Sequence, residues 1–377
     1  MRGFRMLLSA AGALAGALLA GQALAGVPSG VHHQTLWVPD YVGKKIYRYY
    51  IDQTVNPVKM TSTVINLASK NCNPNSVAVS SGKLYVACNS GFGGADKVLV
   101  YKTSNRAYVK TIAGLASDGH AYFAGSGLVG IAFDKHKNMW LSGYAANSLY
   151  RIPAAEVTAA SYKVDRVVVN SPDQPAGLTV ASDGGFWVVG QYSGGILLKF
   201  DDATLNVAGT FDYKNPLNPN PSYCLSNNID GCNPVDGLFN APEGVASFGG
   251  AIWVSNNGGN KPAKTLVRAV PGAGGSFTTG TYGGAFGKPF ACPGGLFTAS
   301  KTGATPQLWV NDEGYGVKGT DCGASEPFQL SGVGRVLAFK SADLMNSKAA
   351  PKPETFPGWD KLRTGSPGFG GIAVELD

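Results

Sequence analysis

After its first 25 residues, the sequence has no apolar run approaching the roughly 20 residues that a membrane-spanning helix needs. Charged residues make up only 15% of the chain, and the lysines are scattered, which argues against a nucleic-acid-binding surface. There is no G-x-S-x-G elbow, no H-E-x-x-H helix and no phosphate-binding loop before a helix. The usual motifs of serine hydrolases, zinc proteases and nucleotide-binding enzymes are therefore missing.

The amino-terminal segment is typical of a secretory signal peptide. Arg2 and Arg5 precede the small, apolar stretch Met6–Leu19, and Ala23-Leu24-Ala25 provides a cleavage site. A membrane anchor is the alternative, but this apolar run is short and is interrupted by glycine. We therefore expect residues 1–25 to be removed, residues 26–377 to fold as one domain, and the protein to be periplasmic or secreted.

A repeated unit organises the rest of the chain. Its clearest copy is PEGVASFGGAIWVSNN at residues 242–257, in which a Gly-Gly turn joins an apolar strand to a strand carrying an aromatic residue. Further copies begin at Asn75, Leu128, Pro175 and Pro293. The aromatic positions of the five copies are Tyr85, Trp140, Trp187, Trp253 and Trp309.

A sixth copy is divided between the two ends of the chain. Trp37 lies in a second strand without a partner, and residues 370–375 form a first strand without a follower. Most copies continue into a third strand, and weaker fourth strands are predicted at Arg166–Val169 and Val207–Phe211. The pattern predicts an all-β protein, a six-bladed β-propeller in which the chain ends join to complete one blade.

Propeller geometry predicts which face holds a ligand. The first strand of each blade lines the channel, so its start and the end of the second strand lie on the same face, here called the top. Bottom turns such as Gly249-Gly250 are short, whereas long top connections are predicted at Asp212–Ala241, Asp312–Val333 and Asp343–Phe369. Long connections of this kind are commonly functional, so we expect a ligand pocket at the top.

Six cysteines suit an oxidising compartment. The topology favours three disulfides that staple the top connections: Cys72–Cys88, Cys224–Cys232 and Cys292–Cys322. A metal cluster is the alternative, but the sequence has no C-x-x-C pair.

The polar residues at the channel mouth are the candidate site. Before the first strands, Asn75 and Glu243 are the strongly polar positions, in blades that face each other across a six-fold ring. Asn256 and Asp312, at the ends of second strands, are further candidate metal ligands. The remaining candidate ligand-binding positions there are Asp40, Tyr41, Asn89, Tyr144, Gln191 and Asn257.

Oxygen atoms of this kind are what Ca²⁺ or another divalent cation prefers. The alternative is that Asp40, Asn256 and Asp312 cap turns and that Glu243 accepts backbone hydrogen bonds. His120 lies on a predicted top loop, where it is a candidate general acid or base beside Glu243.

The unit P-x-G-V-A…L-W-V-x-[DN] resembles the NHL repeat, and the chain is also similar to the gluconolactonase and regucalcin family of six-bladed propellers. That resemblance implies a channel cation held by Asn75, in PNSVAV, and Glu243, in PEGVAS. The family's opening glutamate has no counterpart here, because residues 368–371 are glycine and phenylalanine.

Three functions follow as hypotheses. The first is a divalent-metal-dependent hydrolase of a lactone or similar ester. The second is a non-catalytic propeller that binds a small molecule or a partner protein. The third is a lyase of the streptogramin type with His120 as catalytic residue. We expect a monomer that neither spans a membrane nor binds nucleic acid.

Overall fold

The computed structural model describes the following residues: 32–55, 58–90, 94–115, 119–158, 164, 166–168, 174–191, 195–207, 216–226, 232–234, 237–257, 265–272, 276–283, 293–299, 307–312, 335–340, 344 and 371–376. They form six sheets whose first strands surround a central channel, which confirms the six-bladed β-propeller. In this part of the chain, no helix has the length and apolar character needed to cross a membrane.

Each blade is one sheet. Blade one contains β1 (His33–Asp40), β2 (Lys45–Asp52), β3 (Lys59–Asn66) and, from the other end of the chain, β24 (Ala373–Leu376). Blade two contains β4 (Asn73–Ser80), β5 (Lys83–Asn89), β6 (Lys97–Lys102) and β7 (Tyr108–Ile112). Blade three contains β8 (Leu128–Phe133), β9 (Met139–Gly143), β10 (Ser148–Ile152) and β11 (Arg166–Val168).

The second half of the ring repeats this order. Blade four contains β12 (Pro175–Val180), β13 (Phe186–Gly190), β14 (Ile196–Phe200), β15 (Tyr223–Ser226) and β16 (Asn233–Pro234). Blade five contains β17 (Pro242–Phe248), β18 (Ala251–Asn256), β19 (Thr265–Pro271) and β20 (Phe277–Gly283). Blade six contains β21 (Pro293–Ala299), β22 (Gln307–Asp312) and β23 (Arg335–Lys340). The helices are short: a 3₁₀ turn at Ala68–Lys70, α1 (Ala154–Thr158) and α2 (Asp202–Leu205).

The two ends of the chain close the ring, as the divided repeat predicts. β24 pairs antiparallel with β1, and Trp37 lies opposite Ala373. The Trp37 indole N–H also donates a 2.8 Å hydrogen bond to Glu375. Blade one therefore has the same inner strand as the others, although that strand comes from the carboxyl end of the chain.

The aromatic residue of each second strand packs between two blades. The five tryptophans at these positions are fully or almost fully buried, and Tyr85 is 2% exposed. Trp253 of blade five contacts a cluster that includes Leu308 of blade six, and Trp309 of blade six contacts one that includes Leu36 of blade one. Truncating such a side chain costs about 3–5 kcal/mol, so these contacts hold neighbouring blades together.

The inner strands are bulged where they begin, at the top of the channel. The pairing register shifts by one residue in β4, β8, β12, β17 and β21. Such a bulge frees backbone groups from the sheet. In blade five, the Gly244 N–H donates to Ser255 Oγ at 2.8 Å, and Ser255 donates to the Gly294 carbonyl of blade six at 2.6 Å.

Blade three repeats this arrangement. Gly130 donates to Ser142 at 2.7 Å, and Ser142 donates to the Ala176 carbonyl of blade four at 2.6 Å. Blade two is joined to blade one by the Val77 N–H and the Gly371 carbonyl, 3.1 Å apart. The bulges therefore supply hydrogen bonds that run around the ring.

Two of the predicted disulfides are confirmed. Cys72 is bonded to Cys88 and Cys224 to Cys232. Cys292 and Cys322 lie outside the described residues. The predicted bottom turn at Gly249-Gly250 is also confirmed, since Phe248 pairs with Ala251 and both glycines have positive φ, which a tight two-residue turn requires.

The fourth strand of blade four is not at the predicted position, Val207–Phe211, of which the described residues include only Val207. The described chain after β14 turns into α2, Val207 is exposed, and the strand that pairs with β14 is β15, Tyr223–Ser226. Leu205, at the end of α2, is buried. The region 212–241 is therefore not one top connection, because β15 crosses it from the bottom to the top.

We predict that Ser255→Ala lowers the free energy of unfolding by about 2–3 kcal/mol, because the buried Gly244 N–H and Gly294 carbonyl lose their shared partner. Urea unfolding of both proteins measures the difference. Ser62→Ala is the control, because Ser62 is exposed on β3 and its loss should change stability by less than about 0.5 kcal/mol. Equal effects of the two substitutions would contradict a special role for Ser255.

Candidate functional site

The central channel contains a cavity of about 260 Å³ bounded by the inner strands of all six blades. Its walls are mainly apolar and include Val77, Val129, Ile131, Leu178, Val245 and Leu296. Ser76, Thr179 and Thr298 add hydroxyl groups. Among the described residues, Glu243 is the one ionisable side chain in the lining.

Glu243 lies in the bulge of β17, at the top of the channel. Its side chain is fully buried. Asn257, which follows β18, donates a hydrogen bond from Nδ2 to Oε2 of Glu243. Oε1 has no hydrogen-bond partner within the described part of the chain. A buried polar atom without a partner is costly, so this oxygen marks a place where a ligand or water would bind favourably.

Burial controls the charge of Glu243. Desolvation raises its pKa to about 8, and the hydrogen bond from Asn257 opposes that shift without cancelling it. Glu243 therefore keeps its proton at neutral pH. A protonated carboxyl group can donate a hydrogen bond, whereas an ionised one can only accept.

Asn75 occupies the equivalent bulge in blade two. It is fully buried, and its Nδ2 donates to the Leu128 carbonyl of blade three at 3.3 Å. Its Oδ1 has no hydrogen-bond partner in the described residues. Asn75 and Glu243 thus occupy matching positions in two blades. Asn75 is hydrogen-bonded to blade three, and Glu243 is hydrogen-bonded to Asn257 of its own blade.

The other candidate metal ligands hold local structure. Asn256 donates to the Leu238 carbonyl at 2.6 Å and accepts from the Asn240 N–H at 3.1 Å. Asp312 is fully buried and pairs with Arg335 at 2.8 Å. Their predicted roles in metal binding stay predictions.

The candidate ligand-binding residues fall into separate groups. Asn257 contacts Glu243, as described above. Tyr144 donates to Gln191 at 3.0 Å, which joins the tops of blades three and four. Asp40 accepts hydrogen bonds from the Gly43 N–H at 2.9 Å and the Tyr47 hydroxyl at 3.4 Å, as expected for a turn cap.

Tyr41 and Asn89, at the tops of blades one and two, are both neighbours of Asn73. Tyr41 is buried, and desolvation raises the pKa of its hydroxyl, which is hydrogen-bonded to Asn73. Asn89 ends β5 opposite the same Asn73. Asn73 therefore links the two predicted residues to the start of β4.

His120 lies on the connection between β7 and β8, on the top face as predicted. It is exposed, and its ring packs edge-on against Tyr122 at 5.0 Å. Its predicted catalytic role remains a prediction. Glu243 is fully buried, so the two proposed catalytic side chains have opposite environments.

Asp96 is an important buried residue that sequence analysis missed. Its carboxylate accepts hydrogen bonds from the N–H groups of Ser90 at 2.7 Å, Gly127 at 2.6 Å and Leu128 at 3.3 Å. It thereby anchors the chain before β8, beside the carbonyl that Asn75 binds. The Gly-rich stretch before Asp96 predicts a loop, but nothing in that stretch indicates which N–H groups the loop brings to the carboxylate.

The described residues do not by themselves complete a divalent-cation site. They contain no group of three or more histidine, cysteine, aspartate or glutamate side chains placed to hold a metal. Glu243 Oε1 and Asn75 Oδ1 are two suitable oxygen atoms, whereas Ca²⁺ takes six to eight.

Comparisons with known proteins give fold similarity and no family. No protein-family profile matches the sequence, and no curated protein matches it either. One similar solved structure is a virginiamycin B lyase from Staphylococcus aureus with quinupristin, with 14% identity and a TM-score of 0.45 over 77% of this chain and 81% of that chain.

Two others are a PQQ-bound aldose sugar dehydrogenase from Streptomyces coelicolor and a protein of unknown function from Bacteroides caccae. The dehydrogenase has 14% identity and a TM-score of 0.48 over 81% of this chain and 90% of its own. The Bacteroides protein has 9% identity and a TM-score of 0.48 over 91% and 98%. These likenesses assign no activity to this chain.

We predict that Glu243→Gln changes how stability depends on pH. Above pH 4.5 the unfolded chain loses the Glu243 proton, while the folded chain keeps it until about pH 8. The wild-type protein therefore loses stability from this group as pH rises between those values, by up to about 1.4 kcal/mol per pH unit. Glutamine cannot ionise, so the stability of the variant relative to wild type should rise across that window.

Urea unfolding at pH 5, 6.5 and 8 measures the effect. Glu156→Gln is the matched control, because Glu156 lies on α1, outside the residues that line the cavity. If the free energies of unfolding of wild type and Glu243→Gln change with pH in parallel, Glu243 ionises with a normal pKa.

Proposed function

We propose that the protein binds a small neutral molecule in its central channel, with Glu243 as the polar anchor. The observation that carries this proposal is the Oε1 atom of Glu243, which is buried at a cavity of about 260 Å³ and has no partner among the described residues. Ligand pockets typically combine apolar walls with a small number of fixed polar groups. The channel has this composition.

The protonation of Glu243 determines the chemistry of the ligand. Oε2 accepts the hydrogen bond from Asn257. The proton is therefore placed on Oε1, which can donate a hydrogen bond to the ligand. A carbonyl or ester oxygen is a suitable acceptor. A carboxylate ligand would instead bring an unpaired charge into an apolar site, which is unfavourable.

A metal-dependent lactone or ester hydrolase is the second candidate. The observation that favours it is the matching placement of two buried oxygen atoms, Glu243 Oε1 and Asn75 Oδ1, in equivalent bulges. A bound cation would polarise the ester carbonyl. Glu243 would then bind as a carboxylate and lose its proton.

We predict that δ-valerolactone, a small cyclic ester, raises the melting temperature of the wild-type protein by about 2 °C at ten times its dissociation constant. Glu243→Gln retains an N–H donor and should keep most of this shift. Glu243→Met has a similar length and no donor, so it should lose the shift. Differential scanning calorimetry of the three proteins measures these values.

The same variants separate the two candidates. If a cation is the ligand, calorimetric titration with CaCl₂ gives heat with wild type and none with either variant, because both lack a carboxylate. Lactone hydrolysis, followed by acid release, should then require added Ca²⁺. A shift with δ-valerolactone that Glu243→Met retains would rule out Glu243 as the anchor.

A further inference from the structure

The six inner strands become more exposed from top to bottom. At the top, Asn75, Val129, Ala176 and Glu243 are buried. At the bottom, every inner strand has partly exposed residues. These are Val79 and Ser80, Ala132 and Phe133, Thr179 and Val180, Ser247, Phe297 and Thr298, and Glu375 and Leu376.

Close packing of the backbone explains the burial at the top. A β-carbon on Gly130 would lie 2.5 Å from the Ala176 carbonyl oxygen, and one on Gly177 would lie 2.5 Å from that of Glu243. One on Gly244 would lie 2.4 Å from the Gly294 carbonyl oxygen. Real β-carbons do not approach other atoms so closely, so these positions accept only glycine. Neighbouring inner strands are thus in direct contact along blades three to six.

Apolar side chains line the bottom of the channel. Val79, Phe133, Val180 and Phe297 line the cavity there and are partly exposed. The described residues around this part of the cavity include no ionisable side chain. Such a surface favours binding of an apolar group, because both surfaces are removed from water. A charged group would lose its hydration there without gaining a partner.

We propose that the channel is open at the bottom and takes an uncharged molecule with a carbonyl head and an apolar tail. The head lies at Glu243 and the tail extends between Ile131, Leu178 and Leu296 toward the bottom opening. This inference rests on the proposed function for the position of the head. It adds the apolar tail and the side from which the ligand enters.

The distance along the channel suits a short chain. Glu243 and Ser247 are four residues apart in β17, which corresponds to about 13 Å of strand. The cavity of about 260 Å³ has the volume of about nine water molecules, since each takes up about 30 Å³ in the liquid. A single unbranched ketone of medium length, such as heptan-2-one, therefore matches both limits.

Thr179→Trp tests the opening at the bottom. Thr179 lines the cavity and is partly exposed, so an indole there should narrow the bottom of the channel. Calorimetric titration with heptan-2-one should show binding to wild type and at least tenfold weaker binding to Thr179→Trp. Thr298→Trp, in blade six, is a second obstruction, because Thr298 also lines the cavity and is partly exposed, and it should act in the same way.

Thr61→Trp is the matched control, because Thr61 is exposed on β3 and far from the channel in the sheet order. It should bind heptan-2-one as wild type does, and circular dichroism checks that all three variants are folded. Wild-type affinity in both Thr179→Trp and Thr298→Trp would overturn the bottom opening, as would the absence of heptan-2-one binding to wild type. Retained δ-valerolactone binding that depends on Glu243 would show that the proposed function survives that result.

Discussion

The packing of backbone against backbone at the top of the channel is the constraint on which the site depends. Gly177 contacts the Glu243 carbonyl of the next blade, and Gly244 contacts the Gly294 carbonyl of the blade after it. This approach is possible because each of these inner strands is bulged and because serine hydroxyls bind the freed backbone groups. The side chain of Glu243 is fully buried where these backbones meet.

Burial and hydrogen bonding then act on Glu243 in opposite directions. Desolvation favours the neutral acid, and the Asn257 amide favours the carboxylate, but the first effect is the larger. The result is a proton donor in an apolar channel. A glutamate that binds a cation does so as a carboxylate. Glu243 would therefore have to lose its proton before it could bind one.

The sequence predicted the architecture because the architecture is repetitive. The position of Trp37 without a preceding strand was enough to predict that the carboxyl end completes blade one, and Asn75 and Glu243 were correctly aligned at the starts of inner strands. The sequence did not predict β15 as the fourth strand of blade four, because several short apolar segments follow β14 and only the tertiary structure decides which of them pairs with it. It also gave no indication of Asp96, whose partners Gly127 and Leu128 lie far along the chain, or of Arg335 opposite Asp312. Side-chain partners of this kind depend on loops that do not repeat.

The protonation state of Glu243 tests the central claim most directly. Selective ¹³C labelling of glutamate side chains, with Glu243→Gln to assign the signal, allows the carboxyl carbon to be followed by NMR from pH 4 to pH 9. The account predicts a midpoint near pH 8, well above the usual value of 4.5 for glutamate. A midpoint close to 4.5 would mean that Glu243 is charged at neutral pH, and the proposed donor in the channel would be wrong.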